Sequence, residues 1–233
     1  MSEMYRTLTE GLPKLPLNLE ESVCRTLCDF GEAVVKQNEV MNLTAITHPD
    51  GVAKLHLLDS LTLLTLTDLK GKKIIDVGCG AGFPGVPVKI ACPEADLTLL
   101  DSLGKRMTWL EQILPTLGVE ATCLTARAEE AVKDRREQYD VATSRAVARL
   151  NILLELTAPY VKVGGLVLAM KGAAAEEELR ESKNAIRKLG LKLLKVATFP
   201  MDDTAHSVIV LQKVAPTPPA YPRRYAKIKQ SPL

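Results

Sequence analysis

The sequence predicts an α/β fold: a mostly parallel sheet covered by helices on both faces, ending in an antiparallel strand and preceded by a helical extension. Three observations carry this. Short apolar runs alternate with amphipathic stretches from Lys73 to Met170, the spacing of strand and helix in parallel sheets. The first of these runs, Lys73 to Val77, leads straight into four glycines, Gly78, Gly80, Gly82 and Gly85. The last two strand patterns, Leu191 to Phe199 and His206 to Lys213, are joined only by Pro200 to Ala205, too short a link for anything but an antiparallel pair.

The N-terminal part reads as helical. Met1 to Gly11 is a short helix ended by Pro13 and Pro16. Leu19, Val23, Leu27, Phe30 and Val34 recur at helical spacing, predicting a helix from Leu19 to Asn38 with Asn18 as its cap. Val52 to Leu66 reads as another. Residues 1–70 are therefore an extension packed on a main domain over 71–213, with a basic, proline-containing tail over 214–233.

Within the main domain, Ala121 to Ala126 is a third strand and Ala128 to Arg136 a charged helix. Tyr139 to Ser144 is a fourth strand, Leu150 to Val161 a helix with Pro159 near its end, and Leu166 to Met170 a fifth strand. Glu176 to Leu189 is one amphipathic helix whose acidic start and basic end suit its dipole. Ligands of such sheets sit beyond the carboxyl ends of the strands, here at Asp76, Asp101, Ala126, Ser144 and Lys171.

The glycine turn has the shape of a nucleotide site. Gly80, Gly82 and Gly85 satisfy the dinucleotide fingerprint, but Asp76 puts an acid where that fingerprint carries an apolar residue. A carboxylate there repels a pyrophosphate and suits a ligand bearing sulfonium and ammonium groups. Acid, any, glycine, any, glycine, any, glycine resembles the first motif of class I, Rossmann-like methyltransferases that bind S-adenosylmethionine. Asp101, about twenty residues beyond the glycines, suits the ribose hydroxyls, and either it or Ser102 suits the start of the following helix.

The chain has 233 residues, 46% hydrophobic, 4% aromatic and a net charge of +2, enough for one large aliphatic core. Five cysteines in no recurring spacing argue against a disulfide framework, and no long apolar run or leader pattern is present. A cytoplasmic protein without a membrane partner is expected. Cys24 and Cys28 share a helix face, as core residues do, and His48, His56 and His206 make no ligand-spaced cluster, so no metal is expected. His56 and Asp59 lie one turn apart and either flank the site or form a local surface pair. From Lys213 onward the chain carries Lys213, Arg223, Arg224, Lys227 and Lys229 with Tyr221 and Tyr225 and no acid. Its five prolines exclude a regular helix, and it suits RNA phosphates and bases or is a disordered terminus.

Asn42-Leu43-Thr44, His56 to Leu61, Asp76 to Gly85, Leu-Asp-Ser-Leu-Gly-Lys-Arg over Leu100 to Arg106, Arg127 to Glu130 and Ser144-Arg145-Ala146 together closely resemble the bacterial RsmG family, also called glucose-inhibited division protein B. Similarity runs over nearly the whole chain. It implies a methyltransferase acting on guanine N7 of 16S ribosomal RNA in the small ribosomal subunit, with S-adenosylmethionine as cofactor and a monomeric chain. The resemblance implies cofactor contacts at Gly78, Phe83, Ala128, Glu129 and Arg145, and Gly80 of the glycine turn is expected to join them. Asp101 fits the ribose role. Arg145, Lys171, Asp59 and His56 are substrate-side candidates, with Asp59 or Glu129 offsetting the charge of the methylated base, and Lys105 and Arg106 candidates for RNA phosphate. No general base is expected, because N7 has no proton to lose. Rival readings are a nicotinamide-dependent oxidoreductase, a methyltransferase for another RNA or a small molecule, and a ribosome assembly factor without activity.

Overall fold

A computed structural model describes residues 2–201 and 204–233. The predicted position of Met1 in the first helix, and Asp202 and Asp203 in the turn between the last strands, lie outside the described residues.

The extension comprises α1 (Glu3–Gly11), α2 (Glu21–Asn38), α3 (Pro49–Val52) and α4 (Asp59–Leu61). Ser2 caps α1 by accepting from the Tyr5 N–H at 3.3 Å. The cap predicted for α2 is not used: the helix begins at Glu21, with Glu20 at the cap position and no side-chain cap bond. The single helix expected from Val52 to Leu66 is instead α3, a π-helical stretch Ala53–Leu58, α4 and a 3-10 turn Thr62–Thr65. That widened stretch carries Leu55 and His56 toward the site, a frequent place for π-helical turns.

The strands are β1 (Lys73–Val77), β2 (Asp96–Asp101), β3 (Thr122–Thr125), β4 (Tyr139–Arg145), β5 (Val161–Lys171), β6 (Leu191–Met201) and β7 (Thr204–Lys213). The intervening helices are α5 (Gly85–Ala91), α6 (Gly104–Thr116), α7 (Ala128–Ala131), α8 (Leu150–Thr157), α9 (Ala175–Glu181) and α10 (Lys183–Lys188). Among the described residues they form one seven-stranded sheet in the order β3-β2-β1-β4-β5-β7-β6. Pairing is parallel from β3 to β5, and β7 runs antiparallel between β5 and β6. Chain order reverses direction across the sheet between β1 and β4, which opens a crevice at the strand ends there.

The period of two in β1 sorts its side chains between two cores. Ile74 packs with the extension and with α5 and α6, burying Leu8, Leu27, Phe30, Leu57 and Leu61. Ile75 and Val77 face the other core, with Leu150, Leu154 and Tyr160 around α8. The extension thus shares a core with the sheet. Cys24 and Cys28 are buried in it, and burial pushes the Cys28 thiol up to about 12. The charged helix expected from Ala128 shortens to α7 and a 3-10 turn, Val132–Asp134, and the helix from Leu150 ends as a 3-10 turn, Ala158–Tyr160. The amphipathic run from Glu176 divides at Ser182, whose hydroxyl donates to the Glu178 carbonyl at 2.6 Å and competes with the helix ladder.

The tail differs most from expectation. Beyond its cis Tyr221–Pro222 bond it forms α11 (Tyr225–Gln230), since no proline falls between Arg223 and Ser231, and Ile228 is fully buried. Two of the five cations from Lys213 onward are structural. Lys213 is fully buried, its Nζ donating to the Ala158 and Val161 carbonyls at 2.8 and 3.1 Å beside Glu137; burial lowers its pKa and Glu137 opposes that. Arg223 grips the fully buried Glu155: its backbone N–H and Nε reach Oε1 at 2.8 Å each, and Nη2 reaches Oε2 at 2.6 Å. Removing one partner of such a pair leaves a charge buried alone. Arg223→Ala should therefore cost about 3–5 kcal/mol in urea unfolding, against under about 1 kcal/mol if the pair behaves like a surface one.

Candidate active site

The ends of β1, β2, β4 and β5 open into a cavity of about 910 Å³. At its floor is the glycine turn. Gly78 and Gly80 have φ of +72° and +57°, which side chains resist, and their neighbours explain why glycine stands there. A Cβ on Gly78 would lie 2.3 Å from Val147 Cγ2, whereas one on Gly80 meets only Arg106 Nη1 at 3.9 Å. The first glycine lets the β4 loop close over the turn. The second turns bare backbone toward open space, where a ligand can approach it.

Asp76 does not act as the sequence suggested. It is fully buried and absent from the cavity wall, and its Oδ2 accepts from the Gly85 N–H at 2.8 Å. The alternation of β1 aims it at the face where α5 begins, so it braces the turn from behind. Burial pushes its pKa up to about 7, partly offset by the Gly85 bond. Its Oδ1 is the buried polar side-chain atom that has no partner among the described residues.

Asp101 does stand on the wall, at the end of β2. Its Oδ2 accepts from Gly80 N–H at 3.0 Å and its Oδ1 from Leu103 N–H at 2.9 Å. It therefore ties the second strand end to the turn and starts the path into α6, although no side chain caps that helix and Ser102 takes no such role. Both oxygens keep a lone pair for hydroxyl donors. Ala128 and Glu129, at the start of α7, line the same end.

The opposite end is a wall assembled from three distant segments. Arg145, the last residue of β4, points its Nη1 at the Leu55 carbonyl (2.8 Å) and Asp59 Oδ2 (3.2 Å), and its Nη2 at His56 Nδ1 (3.0 Å). Asp59 Oδ1 meets His206 Nδ1 of β7 at 3.0 Å. His56 Nε2 lies 2.7 Å from Thr44 Oγ1. The same Nδ1 lies 3.0 Å from the Leu55 carbonyl, so it accepts from Arg145 in one tautomer of His56 and donates to Leu55 in the other. Burial and the Arg145 charge hold the His56 pKa down to about 4, leaving the ring neutral at physiological pH. Phe83 stacks on that ring at 4.7 Å and lies under the Arg145 guanidinium at 5.2 Å. His56 and Asp59 are thus not a surface pair: both are buried, Asp59 2% exposed, and they are joined through Arg145 and not to each other.

The remaining candidates divide. Lys171 lines the cavity but is committed to the loop beside it, donating to the Ala148 carbonyl and pairing with Glu178 at 2.9 Å. Arg106 also lines it and donates to the Asn42 carbonyl at 3.1 Å. Lys105 is exposed and off the wall. Thr44, Glu178, His206 and Tyr225 line the cavity without having been singled out for it. Thr44 stood in a noted motif, and its loop is fixed by Asn38 Oδ1 accepting from the Leu43 and Thr44 N–H groups at 2.6 and 2.9 Å. Among the described residues there is no cluster able to hold a metal, and no helix long and apolar enough to cross a membrane.

The sheet order, the turn with bare backbone facing the cavity and the free lone pairs of Asp101 fit S-adenosylmethionine. Solved structures agree on the fold. The chain resembles M. jannaschii TYW2 in complex with AdoMet, with TM-score 0.58 and 12% identity over 72% of this chain and 79% of that one. It also resembles a SAM-dependent O-methyltransferase from Thermotoga maritima, with TM-score 0.54 and 16% identity over 78% and 71% of the two chains. Curated relatives span the full length. The protein named ribosomal RNA small subunit methyltransferase G from Alkaliphilus metalliredigens is 41% identical over 99% of both chains, and that from Desulfitobacterium hafniense 43% over 98% of both. The family model described as "GidB: rRNA small subunit methyltransferase G" matches residues 23–207. With most of its length matched by that model and nearly all of it by those relatives, this chain belongs to the rRNA small subunit methyltransferase G family of S-adenosylmethionine-dependent methyltransferases.

Proposed function

We propose that this chain transfers a methyl group from S-adenosylmethionine to N7 of a guanine in 16S ribosomal RNA, acting as a monomer in the cytoplasm. The observation that carries the chemistry is the absence of a free base on the substrate side, among the described residues. Asp59 is held by Arg145 and His206, Glu178 by Lys171, and the His56 ring nitrogens by Arg145, the Leu55 carbonyl and Thr44. Each acceptor on that wall is already engaged, and alkylation of N7 requires no proton acceptor.

The cofactor, when bound, supplies an electrophilic methyl on a sulfonium. Gly78 and Gly80 give it backbone contact, Asp101 accepts from its ribose, and Ala128 and Glu129 border its adenine. Arg145 and His56, both packed on the Phe83 ring, form a wall against which a purine can be held in line with the methyl, and alignment is what this displacement needs. Arg145 balances Asp59, so the wall is near neutral as the base becomes cationic. Glu129, a cavity carboxylate with no hydrogen-bond or ion-pair partner among the described residues, answers that charge at longer range.

Incorporation of tritium from labelled S-adenosylmethionine tests the substrate class. Counts in unmodified 16S RNA or small subunits, with background in 23S RNA, are expected. Equal labelling of both RNAs, or label only in small molecules, would contradict the proposal.

A further inference from the structure

The tail supplies a wall of the cavity that no matched motif assigns. Three sets of bonds strap residues 215–225 to the main domain. Thr217 donates from its N–H to Glu137 at 2.9 Å and from its hydroxyl to the Leu189 carbonyl at 3.0 Å. Arg136 donates to the carbonyls of Thr217 and Tyr221. Arg223 is locked to the buried Glu155 of α8. Arg136 follows the 3-10 turn that continues α7, and Glu155 sits on α8, so the strap rises between these two helices. It then begins α11 with Tyr225, which is half-buried and lines the same cavity as Ala128, Glu129, Arg149 and Leu156. The far end, by contrast, is closed by His56, Asp59 and His206.

We infer that Tyr225 is a cofactor-contacting residue, its ring forming the outer wall of the adenine end of the cavity. The inference rests on the cofactor reading given above. A ring has the right chemistry for that place: adenine offers a broad π face, and an aromatic wall excludes water from it while contributing stacking. The strap explains how a residue so close to the C-terminus is held firmly enough to act. The two flanking anchors, the Glu155–Arg223 pair before it and the buried Ile228 after it, fix its backbone on both sides.

The test is isothermal titration of the full-length protein with S-adenosylhomocysteine, using wild type, Tyr225→Ala and Tyr225→Phe, with melting temperatures measured alongside. Tyr225→Ala should raise Kd about tenfold and Tyr225→Phe less than about twofold, because the ring face and not the hydroxyl makes the contact. Binding of a 16S RNA fragment should stay within about twofold of wild type for both variants. A Kd unchanged in Tyr225→Ala, or a loss of RNA binding with cofactor binding intact, would overturn the inference and leave the methyltransferase reading standing. Failure of the wild-type protein to bind S-adenosylhomocysteine would instead overturn that reading itself.

Discussion

Arg145→Ala is expected to lower kcat/KM for methyl transfer by about 100-fold or more, the loss that follows when a reacting group is displaced by about an ångström. The guanidinium joins α4, the π-helical stretch and β4 by donating to Leu55, Asp59 and His56 at once. Without it Asp59 keeps only His206 among its partners in the described residues, and the His56 ring loses a neighbour at Nδ1. Arg145→Lys should restore little, since one ammonium cannot span three acceptors set by a planar fork. Steady-state kinetics below the melting temperature of each variant separate this from unfolding. Near-normal kcat/KM in a cooperatively folded Arg145→Ala protein would show that the wall is structural only.

Gly78 and Gly80 should fail differently. Alanine at Gly78 meets Val147 at 2.3 Å and adopts a φ of +72°, so both the fold and the closure of the β4 loop suffer. Alanine at Gly80 bears backbone strain of about 1–2 kcal/mol but no packing clash, and its methyl enters the space reserved for cofactor. Gly80→Ala should therefore weaken S-adenosylhomocysteine binding at least about tenfold with a melting temperature within about 8 °C of wild type. Gly78→Ala should lose binding and also melt clearly lower. Thermal shift with and without ligand reads both quantities, and Gly80→Ala binding normally would mean that its backbone does not face the cofactor.

The features legible in the sequence were those with local causes. Strand runs, helical spacing, the glycine turn and Asp101 each follow from a few neighbouring residues, and the short link before His206 imposed the antiparallel β7. Long-range partners decided the rest. The alternation of β1 aims Asp76 away from the cavity, and only the position of α5 reveals that it braces Gly85. The union of Asp59, Arg145 and His206 depends on three segments far apart in the chain. Lys213 and Arg223 looked like solvated tail cations because Glu137 and Glu155, their partners, lie well upstream. The prolines that argued against a helical tail end at Pro222 and resume at Pro232, leaving room for α11.

The central claim is the atom that receives the methyl. Unmodified 16S RNA methylated by this protein should be digested to nucleosides and separated, with a parallel aliquot cleaved by reduction and aniline, which breaks the chain at 7-methylguanosine. All label in 7-methylguanosine and a single cleavage site are the results predicted here. Label in a base methylated on carbon or on an exocyclic amine would contradict the account, because those reactions need a nucleophile or a proton acceptor that this wall does not offer.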